Sequence, residues 1–389
     1  MRRFASVFCA FLIFFSCFLY NTTNTLASES PFALYAKSAV LMDGKNQRIL
    51  FGKNENEKLP MASTTKIMTC LYALEQGNLS DIVTFSENAA AAPKVHLGAR
   101  AGDRFLLSDL LYALMLESYN DAAIAVAEHI SGSVESFCEE MTQQARNYGC
   151  YHTSFETPNG LDSKNHYTTS SDLAILTCHA LQNKQFRSII REPSYSIKEL
   201  NSGRLYSLSN KDAFLTSFPD AIGVKTGYTS GAGYCFVGAV EKEDRLLISV
   251  VLGSGWYPNR SWKWKDTKKL MEYGLEEFEP RTVSLSGELP ALLPVIDGQT
   301  SSCRLSVPDS VTLLAGKEEE ITCVTDLPAL LDAPIEKGET LGTVSLYTGK
   351  KLYRTWPVTA QNAVQKIDYK YCLKKLLERL LLSSNQGII

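Results

Sequence analysis

Ser63 and Lys66 stand three residues apart in Pro60-Met61-Ala62-Ser63-Thr64-Thr65-Lys66-Ile67-Met68. A serine hydroxyl is a weak nucleophile at neutral pH and needs a base within hydrogen-bond reach. If the following helix starts at Ser63, both side chains leave one face about one turn apart. The positive end of the helix dipole disfavours an ammonium and helps keep Lys66 neutral, so that it can take the serine's proton. The plain alternative is an N-cap serine beside a solvated lysine. Two further motifs bear on the choice. Ser118-Tyr119-Asn120 falls between two helices, where a hydroxyl and an amide can face a cleft, although Ser86-Glu87-Asn88 and Ser163-Lys164-Asn165 fit the same pattern. Lys225-Thr226-Gly227 ends a strand, where a lysine and a hydroxyl can hold a carboxylate and a glycine admits a ligand to the backbone. Its bland reading is an edge strand guarded by a lysine. No bland reading explains the three motifs together in this order.

The elements that must bring these residues together follow from periodicity and turn residues. Apolar runs at 36–43 and 48–52 around Gly44-Lys45-Asn46 predict a β-hairpin. The helix from Ser63 stops after about Gln76, at Gly77-Asn78. Residues 81–104, with Pro93, Gly98 and Gly102, read as a surface loop arching near the site. Ser108 caps a helix to Leu116, and another runs from about Asp121 to Ile130. Ser133 opens a helix whose Val134, Phe137, Met141, Ala145 and Tyr148 make a core face. Thr157-Pro158-Asn159-Gly160 is a turn, and a helix spans Ser170 to Asn183. Strands are expected at 222–226, 234–240 and 246–252, then a helix from Trp262 to Phe278.

The expected class is α+β, with one antiparallel sheet flanked by helices over residues 28–279. Residues 280–362 show short strands divided by Gly and Pro, as in a small all-β domain. In residues 363–389, Tyr369, Cys372, Leu373, Leu376, Leu377, Leu380 and Leu381 line one face of an amphipathic helix. Such a helix fits a membrane interface or a protein surface, and its place apart from both cores favours the membrane.

Composition narrows the class. A chain of 389 residues suggests two or three domains, and 45% hydrophobic with 21% charged residues is ordinary for a soluble globular protein. A balance of 39 basic against 42 acidic residues gives no support for nucleic-acid binding. Arg2 and Arg3, an apolar run from Phe4 to Tyr20 and Thr25-Leu26-Ala27 read as a secretory signal peptide over residues 1–27, which places the protein outside the cytoplasm. An uncleaved membrane anchor is the competing reading, because the run approaches spanning length. The cysteines beyond the signal form no Cys-x-x-Cys pair, which argues against a zinc or redox motif. Cys303 with Cys323 is the one candidate disulfide.

Taken together, Met61-Ala62-Ser63-Thr64-Thr65-Lys66, Ser118-Tyr119-Asn120-Asp121-Ala122-Ala123, Thr157-Pro158-Asn159-Gly160-Leu161-Asp162 and Gly223-Val224-Lys225-Thr226-Gly227-Tyr228-Thr229 resemble the active-site motifs of penicillin-recognising serine enzymes. Over about residues 33–278 the surroundings look like the low-molecular-mass penicillin-binding proteins, the serine-type D-Ala-D-Ala carboxypeptidases. The β-region and tail are similar to that family's spacer domain and membrane anchor. The resemblance implies that Ser63 attacks the carbonyl of a terminal D-Ala-D-Ala bond, with Lys66 as general base. It gives Ser118 the proton relay to the leaving D-alanine and Asn120 the substrate amide. Lys225 would keep Lys66 deprotonated, and Thr226 would help hold the terminal carboxylate. The N–H groups of Ser63 and Tyr228 would form the oxyanion hole beside Gly227. Arg260 matches a place where the family often has an arginine for the carboxylate. The implied partners are a peptidoglycan pentapeptide, β-lactam inhibitors and a membrane surface, with no metal or cofactor.

Two departures stand out. Ile222 occupies the position where the family usually has an aspartate before Gly-x-Lys-Thr-Gly, and Tyr119 is bulkier than the usual small residue. Rival readings also differ in testable ways. A class A β-lactamase deacylates with the glutamate of Glu-x-x-Leu-Asn, but the nearest match here, Ile197-Lys198-Glu199-Leu200-Asn201, begins with isoleucine. A catalytically dead wall-binding protein would have no use for Ser63, Lys66, Ser118, Asn120, Lys225 and Thr226 together. A transpeptidase would share the acyl-enzyme and differ in whether water or an amine accepts it.

Overall fold

The computed structural model describes residues 32–384, so the expected signal peptide, 1–27, lies outside the described residues. β1 (Ser38–Asp43) and β2 (Arg48–Lys53) form the expected hairpin. A 3-10 turn, Ala62–Thr65, leads into α1 (Lys66–Gln76), which stops at Gly77. Residues 81–104 are more ordered than a loop: β3 (Ile82–Thr84) pairs with β4 (Arg104–Leu106), and a short α2 (Glu87–Ala90) lies between them. α3 (Leu107–Tyr112) runs on as a π-helical turn, Ala113–Glu117, before α4 (Asn120–Ser131). The Ser133 hydroxyl accepts from Ser136 N–H to cap α5 (Val134–Asn147), which buries Phe137, Met141 and Ala145 as their spacing predicts.

α6 (Ser170–Gln182) is followed by three elements that the sequence does not announce: α7 (Lys184–Arg191), the hairpin β5 (Ser194–Lys198) with β6 (Leu205–Ser209), and α8 (Phe214–Ser217). The hairpin turns only Tyr195, Ile197, Tyr206 and Leu208 inward, two per five-residue strand, among serines and lysine that read as a polar connection. β7 (Ala221–Thr229), β8 (Gly233–Lys242), β9 (Arg245–Leu252) and α9 (Trp262–Glu277) complete this region.

The five-stranded sheet has the order β2-β1-β9-β8-β7 and is antiparallel throughout. The side-chain period of two sends Val40, Met42, Ile248, Val250 and Leu252 into the helical core. Leu41 and Leu247 point the other way, against Gly274 of α9. Helices cover both faces, so these strands read as continuous apolar runs. α1 lies at the centre, with Ile67, Met68, Cys70 and Leu71 buried and α4, α5 and α6 packed around it.

The all-β region holds β10 (Phe278–Ser284), β11 (Leu292–Ile296), β12 (Ser302–Ser306), β13 (Ser310–Gly316), β14 (Ile321–Asp326), β15 (Leu331–Asp332), β16 (Thr340–Thr348) and β17 (Lys351–Ala360). Six strands form one sheet, β14-β16-β17-β12-β11-β15, and β10 pairs with β13. Cys303 and Cys323 are not bonded to each other, contrary to the candidate pairing: Cys303 belongs to the cluster of Leu293, Ile335 and Val364, whereas Cys323 edges that of Leu285, Val344 and Val358. This region docks on the β1–β2 hairpin through Asn46 Nδ2, which donates to Thr312 O at 2.9 Å, and Leu314 N–H, which donates to Asp43 at 3.3 Å. Arg48 adds bonds to Leu314 O and Glu319. The tail helix, α10 (Tyr369–Ser384), leaves Leu373, Leu376, Leu377, Leu380 and Leu381 exposed. No described helix is long and apolar enough to cross a membrane.

Candidate active site

Ser63 lies inside the 3-10 turn and not at a cap; the cap positions are Met61 and Thr65, neither with a side-chain cap bond. The N-cap alternative for Ser63 therefore fails. Ala62, just before it, is left-handed at φ 49°, a region that non-glycine residues avoid and that gathers at functional sites. Lys66 opens α1 and is fully buried.

Lys66 Nζ is 3.1 Å from Ser63 Oγ, 2.9 Å from Asn120 Oδ1 and 2.6 Å from Asn159 O. A neutral amine has two N–H bonds and one lone pair. The two carbonyl oxygens occupy both N–H bonds, which leaves the lone pair for the Ser63 hydroxyl. Ser63 Oγ also lies 3.3 Å from Asn159 O, the only other acceptor competing for its hydrogen among the described residues. Burial pushes the Lys66 pKa well below the usual lysine range; the Lys225 charge adds to this and Asp121 opposes it.

Three segments converge to hold this geometry. The first is the start of α4, where Asn120 N–H donates to Val95 O at 2.8 Å and its Nδ2 donates to Pro93 O at 3.1 Å, so residues 93–98 do arch to the site. Asp121 fastens the same segment by accepting from Leu97 and Gly98 N–H at 2.8 and 2.9 Å. Ser118, half-buried, ends the π-helical turn in a left-handed conformation with φ 67°. Tyr119 is half-buried against the core.

The second segment is the turn at 157–160. Gly160 has φ 86°, and a Cβ there would sit 2.0 Å from Ala62 O, so only glycine lets the turn press on the Ser63 backbone. Thr69 Oγ1 donates to Pro158 O at 2.6 Å. Behind the turn, His166 Nδ1 accepts from Glu156 N–H at 3.1 Å, which leaves Nε2–H to donate to Thr65 Oγ1 at 2.8 Å. Burial lowers the His166 pKa to about 4, so the ring is a neutral strut between turn and helix. Neither the Asn159 carbonyl nor His166 is singled out by the sequence. A backbone oxygen carries no residue-type signal, and a lone histidine reads as a core residue.

The third segment is β7, the edge strand, whose outward backbone groups have no strand partner among the described residues. A Cβ on Gly227 would be 3.0 Å from Ser63 N and 3.1 Å from Thr64 N, which fixes how closely the strand flanks the serine. Lys225 is buried, its pKa lowered to about 7 by burial and then by Lys263, while Asp212 and Glu117 oppose. Thr226 is half-buried, and Tyr228 is exposed with its ring 4.4 Å from that of Tyr234. Arg260 is exposed in the loop between β9 and α9 and makes no hydrogen bond or ion pair with these residues among those described. Glu199 is buried elsewhere, accepting from Arg104, Asn201 and Ser202 N–H at 2.9, 3.0 and 2.6 Å to hold the β5–β6 hairpin. No group of His, Cys, Asp and Glu among the described residues has the makings of a metal site.

Known proteins share both the sequence and this architecture. The D-alanyl-D-alanine carboxypeptidase family matches residues 24–255, and the penicillin-binding protein 5 C-terminal domain matches 278–366. The chain is 31% identical to the D-alanyl-D-alanine carboxypeptidase DacF of Bacillus subtilis over 91% of each chain. It is 30% identical to DacC of Escherichia coli, covering 92% of this chain and 90% of that one. Penicillin-binding protein 5 of Haemophilus influenzae superposes with a TM-score of 0.75 at 29% identity, over 87% of this chain and 99% of its own. The Streptomyces K15 DD-transpeptidase superposes with a TM-score of 0.59 at 30% identity, over 63% of this chain and 99% of its own. With its first family match spanning more than half of its length, the chain belongs to the D-alanyl-D-alanine carboxypeptidase family.

Proposed function

We propose that this chain removes the terminal D-alanine from peptidoglycan stem peptides through an acyl-enzyme on Ser63, and that β-lactams inhibit it by acylating the same hydroxyl. The observation that carries the residue assignment is the bonding of Lys66: two carbonyl acceptors and one lone pair aimed at Ser63 Oγ describe a base ready to take that proton. Ser63 attacks the carbonyl carbon of the D-Ala-D-Ala bond as its proton passes to Lys66. The oxyanion that forms is held by the N–H groups of Ser63 and Tyr228. Ser118 relays a proton to the departing D-alanine nitrogen. Water then attacks the ester, with Lys66 again taking the proton, and Ser63 is restored.

Lys225 and Thr226 hold the terminal carboxylate, and Gly227 leaves the edge of β7 open to the substrate backbone. Asn120 keeps Lys66 in place and offers its second Nδ2 hydrogen to the substrate amide. Arg260 is assigned to the carboxylate on family likeness. Deacylation of penicillin is slow in this reading, because Ile197 stands where a class A β-lactamase has its glutamate, and Glu199, two residues on, is engaged in holding the β5–β6 hairpin. In the cell, residues 1–27 direct export, and 28–279 and 280–362 act as separate domains. α10 lies in the membrane interface with its solvent-exposed leucines inward.

D-alanine release from a defined pentapeptide, wild type beside Ser63→Ala, tests the proposal. Release is expected from wild type alone, and equal background in both favours a wall-binding protein. Mass spectrometry of penicillin-treated protein should show a lasting adduct on Ser63; rapid turnover without one favours a β-lactamase.

A further inference from the structure

Asp212 is a buried carboxylate with half of its bonding capacity unused. It is 6% exposed; Oδ1 accepts from Phe214 N–H at 2.9 Å, and Oδ2 has no hydrogen-bond partner among the described residues. Its turn is tied to the segment that ends in Ser118: Lys211 N–H donates to Leu116 O at 3.1 Å, and Ser209 N–H donates to Glu117 at 2.8 Å. Lys211 Nζ also pairs with Glu117 at 3.1 Å. α8, which this turn opens, packs against β7, and Phe214 meets Phe236 of β8 edge-on at 5.7 Å.

Two lysines are buried as well, Lys225 of β7 and Lys263 in the first turn of α9. Lys263 lies 4.7 Å from the Trp264 ring and 5.5 Å from that of Tyr234. Lys225 feels the charges of Lys263, Asp212 and Glu117 and acts in turn on Lys66, and Lys263 feels those of Cys235 and Asp212, although Asp212 Oδ2 hydrogen-bonds neither lysine. The strand's own approach supplies no acid, since Ile222 is buried in the core and Asp220 is exposed. Buried like charges of this kind lose their protons unless an anion accompanies them.

We propose that Asp212 is a positioning residue of the reaction: its carboxylate is the counter-charge that keeps Lys225 protonated to receive the substrate's terminal carboxylate. The electrostatics agree in sign. Burial raises Asp212 to about 7 and lowers Lys225 to about 7 and Lys263 to about 8, while attraction between the acid and the lysines opposes both trends.

The inference rests on Lys225 as the carboxylate-binding cation, and the experiment separates the two. The pH dependence of kcat/KM for D-alanine release, and of penicillin acylation, is measured on the full chain for wild type, Asp212→Asn, Asp212→Glu and Lys263→Met. Removing the negative charge lowers the Lys225 midpoint, so in Asp212→Asn the alkaline limb moves down by about one pH unit or more, chiefly through KM. The acid limb, set by Lys66 while Lys225 is still charged, stays in place. Asp212→Glu keeps the wild-type limb, and Lys263→Met, which removes a repelling cation, moves it up. An unshifted limb in Asp212→Asn, or an equal shift in Asp212→Glu, overturns the inference. If Asp212→Asn does not fold, 13C titration of wild-type lysine side chains decides: a Lys225 curve with a second inflection at the Asp212 midpoint supports it, and a single step overturns it. A wild type that releases no D-alanine overturns the catalytic reading itself.

Discussion

α1 and α10 set the same kinds of residue, lysine and long apolar side chains, in opposite surroundings. In α1 Lys66 is fully buried, and α4, α5, α6 and α7 pack around that helix. In α10 Lys375 is exposed and bonds Glu378 at 3.0 Å, which raises its pKa, while the leucines beside it face outward. One lysine thereby has its ammonium form disfavoured and the other has it reinforced. Helical periodicity is visible in both segments, but the protonation state belongs to the neighbours, and those come from distant parts of the chain.

The largest effect should come from removing the buried lysine. Lys66→Ala should lower kcat by about three orders of magnitude or more and abolish the penicillin adduct, whereas Lys375→Ala should change neither. Retained acylation in Lys66→Ala would erase the contrast between the helices. Next is the turn that braces α1. Gly160→Ala forces a Cβ to 2.0 Å from Ala62 O at a backbone φ of 86°, and thermal melting should show a loss on the order of 3–4 kcal/mol, with activity falling alongside.

His166 sharpens the same comparison through pH. Its folded pKa is lowered to about 4, so as pH falls the unfolded chain takes up a proton before the folded one does. Stability should drop by on the order of 2–3 kcal/mol between about pH 6.5 and 4 and then level off, a slope that chemical denaturation can read and that His166→Gln should flatten. The smallest effect on stability belongs to the exposed helix. Leu376→Asp should leave the melting curve within about 0.5 kcal/mol of wild type. It should nonetheless cut co-sedimentation with anionic lipid vesicles; undiminished co-sedimentation would remove α10 from the membrane.

What the sequence discloses follows the range of the interaction. Ser63 with Lys66 and Ser118 with Asn120 lie close along the chain, and their spacing within or beside helices announces them. The five-stranded sheet was legible because its strands are apolar runs bounded by turn residues, and the all-β region because Gly and Pro divide it. α7, α8 and the β5–β6 hairpin were not, since each is short and shows the core only one to four side chains. Asn159 acts through its backbone oxygen, whose role depends on Gly160 pressing that turn on Ala62. Asp212 lies 13 residues before Lys225 in a separate turn, and no local pattern links the two. The Cys303–Cys323 pairing failed because the two thiols belong to different clusters, which cysteine positions in the sequence do not reveal.

β2 and β7 are the two rims of one sheet. The all-β region grips the hairpin at one rim, and the serine waits at the other, four inter-strand steps or roughly 20 Å away. The strands between them form a stiff beam. A tether or mechanical load on the second region arrives where no covalent bond changes, so that region can be lengthened, anchored or pulled without retuning the reaction at the opposite end.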